Sequence, residues 1–199
     1  MLAYAAGDTA AFDVLYGRHE NVLYRFVRRL MGVRFAPEVD EVFQETWMRI
    51  VAARESFAPQ GATWRTWAFT IAHNLAIDRL RMSGREVAYY AHDDDEGDAL
   101  ESDIFRRDDG PSEDGAAHPS AEEVAFWRAA GRRMLECLEE LPEEQRAAFL
   151  LHNEGGLSIA ALSATLDINF ETVRSRLRYG LKKLRTCMEQ YLPHLEGQS

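Results

Sequence analysis

Four side chains near the C-terminus have the right chemistry and spacing to read nucleic acid. Glu171, Arg174, Ser175 and Arg178 recur at i, i+3, i+4 and i+7, so a helix over this stretch presents them on one face. An arginine fork matches a guanine edge, a glutamate accepts from cytosine, and a serine is neutral toward either. Arg176, Lys182, Lys183 and Arg185 lie to the side or further along and suit phosphates. The bland alternative is a solvated basic helix end, where cations complement the helix dipole.

The elements that must position this face are also legible. Ser158 can cap a short helix ending near Leu166, Asp167 occupies the turn, and Asn169 can cap a last helix from Phe170 to about Leu192. Val173, Leu177, Leu181 and Leu184 form one apolar stripe predicted to face a core. A short capped helix, a three-residue turn and a basic second helix outline a helix-turn-helix. Upstream, a helix is expected from about Ala121 to Glu140. The next has Pro142 at its first position and Glu143 and Glu144 in its first turn, and stops at Gly155 and Gly156.

A net charge of −10 argues against a nucleic-acid partner until its distribution is examined. Residues 91–123 carry thirteen acidic side chains against only Arg106 and Arg107, and the rest of the chain nets +1. The same stretch holds Gly97, Gly110, Pro111, Ser112, Gly115, Pro119 and Ser120 and lacks apolar periodicity, so it reads as a flexible acidic linker. It separates an N-terminal unit (1–86) from a C-terminal unit (122–199), with the linker over 87–121.

The N-terminal unit shows three helical patterns. Phe12, Leu15, Tyr16, Val22, Leu23, Phe26, Val27 and Leu30 mark the first, which stops near Gly32. Val39, Val42, Phe43, Trp47, Ile50 and Val51 mark the second. The third runs from about Thr63, a candidate cap after Pro59-Gln60-Gly61, to Met82, with Trp64, Trp67, Ile71 and Leu75 down one stripe. No strand-like alternation of any length occurs, so the fold class is all-α. No run of ~18 apolar residues exists, so no membrane insertion is expected. The start lacks the basic and apolar regions of a secretory signal. Cys137 and Cys187 form no C-x-x-C and are expected to be free thiols in a reducing cytoplasm. Six scattered histidines imply no metal, and no catalytic or cofactor motif is present.

The run LPEEQRAAFLLHNEGGLSIAALSATLDINFETVRSRLRYGLKKLR resembles the −35-binding domain of bacterial sigma-70-type factors, with T-V-R-S-R-L its most specific part. The stretch from Trp64 to Arg81 resembles the region that melts and reads the −10 element. Residues 38–45, EVDEVFQE, resemble the acidic helix that binds core polymerase. Two domains and a linker in this order resemble the extracytoplasmic-function (ECF) group of sigma factors. The resemblance implies two small helical domains, a region 2-like bundle and a region 4-like helix-turn-helix. It implies a non-enzymatic, cytoplasmic sigma factor without cofactor that directs core RNA polymerase to promoter DNA.

Carried over residue by residue, −35 contacts fall on Glu171, Thr172, Arg174, Ser175, Arg176, Arg178 and Lys182. Contacts to the −10 strand fall on Trp64, Arg65, His73, Asn74, Asp78, Arg79 and Arg81. Trp64 is open between core and strand stacking, and Asp78 between strand contact and a structural bond to an arginine. Polymerase binding falls on Asp40, Glu41, Phe43, Gln44, Glu45 and Trp47. Implied partners are the clamp of the largest polymerase subunit, the flap of the second largest, and an anti-sigma factor of the kind that often holds such proteins. The linker either mimics nucleic acid in the polymerase cleft or is a solvated tether. Departures from the family pattern are Asp167 where glycine is usual in the turn, and Thr70 and His73 where arginines are common. The competing class is a stand-alone helix-turn-helix regulator, which calls for a sensor domain, usually with strands, in place of the N-terminal helices.

Overall fold

Helix-stop chemistry divides the chain. The computed structural model describes residues 1–59, 62–87 and 120–191. The fold is all-α, with no strand among those residues. Helices α1 (Leu2–Ala5), α2 (Ala10–Met31), α3 (Val39–Ala52) and α4 (Trp64–Val87) make the N-terminal half. Helices α5 (Ala121–Glu139), α6 (Glu143–Asn153), α7 (Ile159–Leu166) and α8 (Phe170–Cys187) make the C-terminal half. The linker's acidic residues between 88 and 119 lie outside the described residues, as do Gln60 and Gly61.

In α2, Leu23, Phe26, Val27, Leu30 and Met31 are buried at helical spacing. The helix ends where Gly32 takes φ +80°, a conformation that a side chain would strain. In α3, Val39, Val42, Thr46, Trp47 and Ile50 face inward, and the Thr46 hydroxyl donates to the Val42 carbonyl at 2.7 Å.

Thr63 caps α4 as expected, its Oγ1 accepting from the Thr66 N–H at 3.1 Å. The buried face of α4 departs from the expected stripe. Ala68, Phe69, Ala72 and Ala76 are buried, with Leu80 beside them, whereas Trp64, Trp67, Ile71 and Leu75 are only half-buried. Alanines let α4 approach α2 and α3 closely, and the large side chains then fill the edges of the contact.

The C-terminal half follows its caps. Ser120 and Glu123 form a capping box on α5. Pro142 is the N-cap of α6 and not its first helical residue. Ser158 Oγ accepts from the Ala161 N–H at 3.2 Å to start α7. After α8 a short 3-10 turn, Glu189–Tyr191, closes the described chain.

The cysteine expectation is corrected: Cys137 and Cys187 form a disulfide between α5 and the end of α8. Their Cα atoms are 5.9 Å apart although 50 residues separate them in sequence, because α5 packs along α8.

The halves also pack on each other. Helix α2 contacts α5 and α6, α4 contacts α6, and one apolar core runs through both halves. Arg29 pairs with Glu154, and Arg65 Nε donates to the Glu154 carbonyl at 2.7 Å. The Val33 N–H donates to Glu139 Oε1 at 3.0 Å, and the Thr70 and Thr165 hydroxyls lie 3.4 Å apart. Gly155 sits in this joint with no room for a side chain. A Cβ there would lie 2.6 Å from the Leu151 carbonyl oxygen and 3.2 Å from Phe69.

Candidate nucleic-acid interface

The turn between α7 and α8 is built from three residues with distinct jobs. Asp167 adopts left-handed backbone, φ 52°, ψ 49°, a conformation Asp tolerates better than most residues. The Ile168 N–H donates to the Ser163 carbonyl at 3.1 Å, and Ser163 Oγ returns a bond to the Ile168 carbonyl. Asn169 Oδ1 accepts from the Thr172 N–H at 2.8 Å and from the Thr172 hydroxyl at 3.0 Å. Thr172 is thereby spent on holding the helix start.

The inner face of α8 is Val173, Gly180 and Leu184, with Leu177 half-buried. Leu181, expected in the core, is 43% exposed. Gly180, next to it, is the buried residue there and faces α6: a Cβ added to it would lie 3.7 Å from Gln145.

Glu171, Arg174, Arg178 and Lys182 are exposed, and Ser175 is half-buried between them. Arg174 pairs with Glu171 at 2.9 Å, with both side chains open to solvent. A pair of that kind contributes little and separates readily when a better partner arrives. The Arg178 guanidinium sits 5.0 Å from the Tyr179 ring centroid. Arg176 departs from the expected row: it turns inward to Glu144 on α6 at 2.8 Å and keeps only 20% of its side-chain surface. Its placement suits bracing α8 rather than reaching a phosphate.

On α4, Asn74, Asp78 and Arg81 form an exposed stripe at i, i+4 and i+7. The other expected residues face elsewhere. Arg65 is exposed but held by the Glu154 carbonyl. Arg79 reaches back to Glu38 and Glu41. Trp64 is half-buried, stacked at 4.2 Å on His19 and 6.2 Å from Trp47. His73 is buried at 7% exposure, 3.1 Å from the Asn74 side-chain oxygen, and burial holds its pKa below the ordinary histidine value.

A third face lies on α3. Asp40 accepts from the Tyr24 hydroxyl at 2.9 Å, Glu45 pairs with Arg49, and Gln44 is exposed. Phe43 is half-buried, edge-on to Tyr24 and Trp47. Trp47 is buried among Phe12, Tyr16, Phe43 and Trp64, on the apolar stripe where its spacing puts it, which leaves little of it for a partner. Met48, beside it, is 67% exposed. Sequence reasoning missed Met48, although an apolar residue off the buried stripe was the available signal. Among the described residues, no group of His, Cys, Asp or Glu is gathered for a metal, and no helix is long and apolar enough to cross a membrane.

Comparison with known proteins places two modules on these elements. Residues 15–86 match the family described as Sigma-70 region 2, and residues 131–184 match Sigma-70, region 4. The chain is 31% identical over 190 residues to the ECF RNA polymerase sigma factor SigE of Mycolicibacterium smegmatis, covering 94% of this chain and 66% of that relative. It is 30% identical over 192 residues to the ECF RNA polymerase sigma factor SigK of Mycobacterium ulcerans, covering 93% of this chain and 89% of that one. Its fold is similar to the solved sigma factor RpoE in complex with the anti-sigma factor NepR from Bartonella quintana. There the TM-score is 0.63 at 21% identity, covering 90% of this chain and 97% of that one.

Proposed function

The chain belongs to the ECF RNA polymerase sigma factors, and from that premise we propose how its surfaces divide the work of promoter recognition. The observation that carries the reading is the open row Glu171, Arg174 and Arg178, with Ser175 between them, on a capped second helix. That row enters the major groove of the −35 element, with the arginines on guanine edges and Lys182 on phosphate. The stripe Asn74, Asp78 and Arg81 meets the −10 strand, Asn74 pairing with an extruded base edge.

Polymerase docking falls on α3 through Asp40, Glu41, Gln44 and Glu45, with Met48 as the apolar centre of the patch and Phe43 behind it. Acidic groups there set register and association rate, and the exposed methionine adds contact area. The clamp of the largest subunit is the partner for this face, and the flap of the second largest subunit is the partner for the C-terminal half. The chain acts as a non-catalytic specificity subunit in the cytoplasm.

The packed arrangement of the two halves is the off-promoter state. The −35 and −10 elements are centred about 25 base pairs apart, or ~85 Å at ~3.4 Å per base pair. On this reading the Arg29–Glu154 and Arg65–Glu154 contacts open when both elements are bound. An anti-sigma factor acting on this chain would work by favouring that packed state.

The test is addition of the chain to sigma-free core polymerase. The expected result is co-elution and a promoter-dependent transcript. Absence of both would reject a sigma role and leave a stand-alone regulator.

A further inference from the structure

The start of α8 carries a residue that the reading row leaves unexplained. Phe170 is the first residue of the helix and is 52% exposed. Asn169 fixes the backbone at this point, so the ring is held at a rigid helix start. Arg174 and Arg178 follow it at i+4 and i+8, which puts the ring at the head of a row of cations. Glu171, with 81% of its side chain exposed, stands next to it.

We propose that Phe170 is a specificity-determining residue that packs on the 5-methyl group of a thymine in the −35 element. The proposal rests on the reading of α8 as the −35 helix. Residues at the N-terminal end of a recognition helix are those that meet base edges. In the major groove, the thymine methyl is the one apolar group that a base pair presents, and phenylalanine suits it. An exposed ring followed on its own face by Arg174, Arg178 and Lys182, with Tyr179 and Leu181 exposed two to three turns further along, fits a polyanionic surface with an apolar point better than it fits an apolar protein groove. The selectivity is modest. One methyl buried against a ring corresponds to about fourfold to tenfold in affinity.

The experiment uses the full chain assembled with core polymerase, on a promoter that this holoenzyme selects from a library randomised in the −35 element. Each thymine of the selected element, on either strand, is replaced by deoxyuridine, which removes the methyl and nothing else. Open-complex formation is compared for wild type, Phe170→Ala and Phe170→Leu.

The proposal expects one or two replacements to cost the wild type about fourfold to tenfold. It expects no further cost in Phe170→Ala and a partial cost in Phe170→Leu. Deoxyuridine that is harmless to wild type throughout, a selected element without thymine, or additive losses in Phe170→Ala would each overturn it. So would an equal loss by Phe170→Ala on thymine and deoxyuridine templates, which would place the ring against polymerase. Failure of the underlying reading looks different: scrambling the whole −35 element would then leave wild-type initiation unchanged. Circular dichroism of both variants checks that the fold is intact.

Discussion

Neutralising Glu154 should release the two halves of the chain. Its carboxylate takes Arg29 of α2, and its backbone carbonyl takes Arg65 of α4. Glu154→Gln removes the charge but keeps the shape, the carbonyl bond and the turn. Arg29 and Glu154 retain 27% and 17% of their side-chain exposure, so the pair is less screened than a surface bridge and less desolvated than a core one. Between those limits a charge-assisted bond contributes about 1–2 kcal/mol. That is about a 5–30-fold shift in the ratio of packed to open chain.

On the proposal that core polymerase takes up the open chain, its apparent affinity should rise by up to the same factor, the full value applying when the packed form dominates. The assay pairs X-ray scattering of the free chain with titration against core polymerase. Glu154→Gln should increase the radius of gyration and tighten binding. Arg29→Gln should do the same, and the double variant should be no stronger than either single one. An unchanged scattering profile and unchanged core affinity in both single variants would refute the reasoning, as would additive effects in the double variant.

Other outcomes follow from the same geometry. Arg174→Ala should weaken initiation by about 5–150-fold, from ~1–3 kcal/mol per base contact, only on promoters that depend on the −35 element. Arg176→Ala should instead lower stability by about 0.5–1 kcal/mol in urea unfolding through loss of Glu144, with promoter preference unchanged. Reducing Cys137–Cys187, or replacing both by Ser, should destabilise the C-terminal half by up to about 4 kcal/mol for the 50-residue separation, read as a lower unfolding midpoint. His73 and His19 both have pKa values lowered from 6.5, each chiefly by burial, so the unfolded chain binds protons more readily. Their contribution is complete above pH 6.5 and is lost as the pH falls below it toward the folded values. His73→Gln should flatten that part of the stability profile.

Local chemistry made the helix-turn-helix readable. Ser158, Asp167 and Asn169 act within three to five residues of their partners, and each stands where its side chain or backbone tolerance requires. The long-range pairings were not readable. Arg176 finds Glu144 across 32 residues and Cys137 finds Cys187 across 50, and a periodic pattern carries no record of which helix lies opposite. Helix α4 shows the same gap differently. It is apolar on several sides, because buried alanines and half-buried tryptophans occupy different faces, so its period could not tell core from rim. His73 shows the same gap: a polar side chain, it lies buried at helical spacing with Phe69, Ala72 and Ala76.

On the proposed assignment of DNA-facing rows, the packing of the two halves covers them unequally, and this sets what it can regulate. Glu171, Arg174, Arg178 and Lys182 stay open, while Arg65 is tied across the joint to the Glu154 carbonyl and His73 is buried. A packed chain therefore keeps its −35 reading row and loses part of its −10 face. Release should raise strand opening more than it raises capture of −35 duplex. Neither row needs high affinity alone, because polymerase holds both halves and converts the second contact into an intramolecular one. Apart from residues 91–123 the chain nets only +1, which keeps free encounters with DNA weak. Specificity then comes from the few base-edge groups on α8, and the Arg29–Glu154 contact sets how often the rest of the machinery is available to use them.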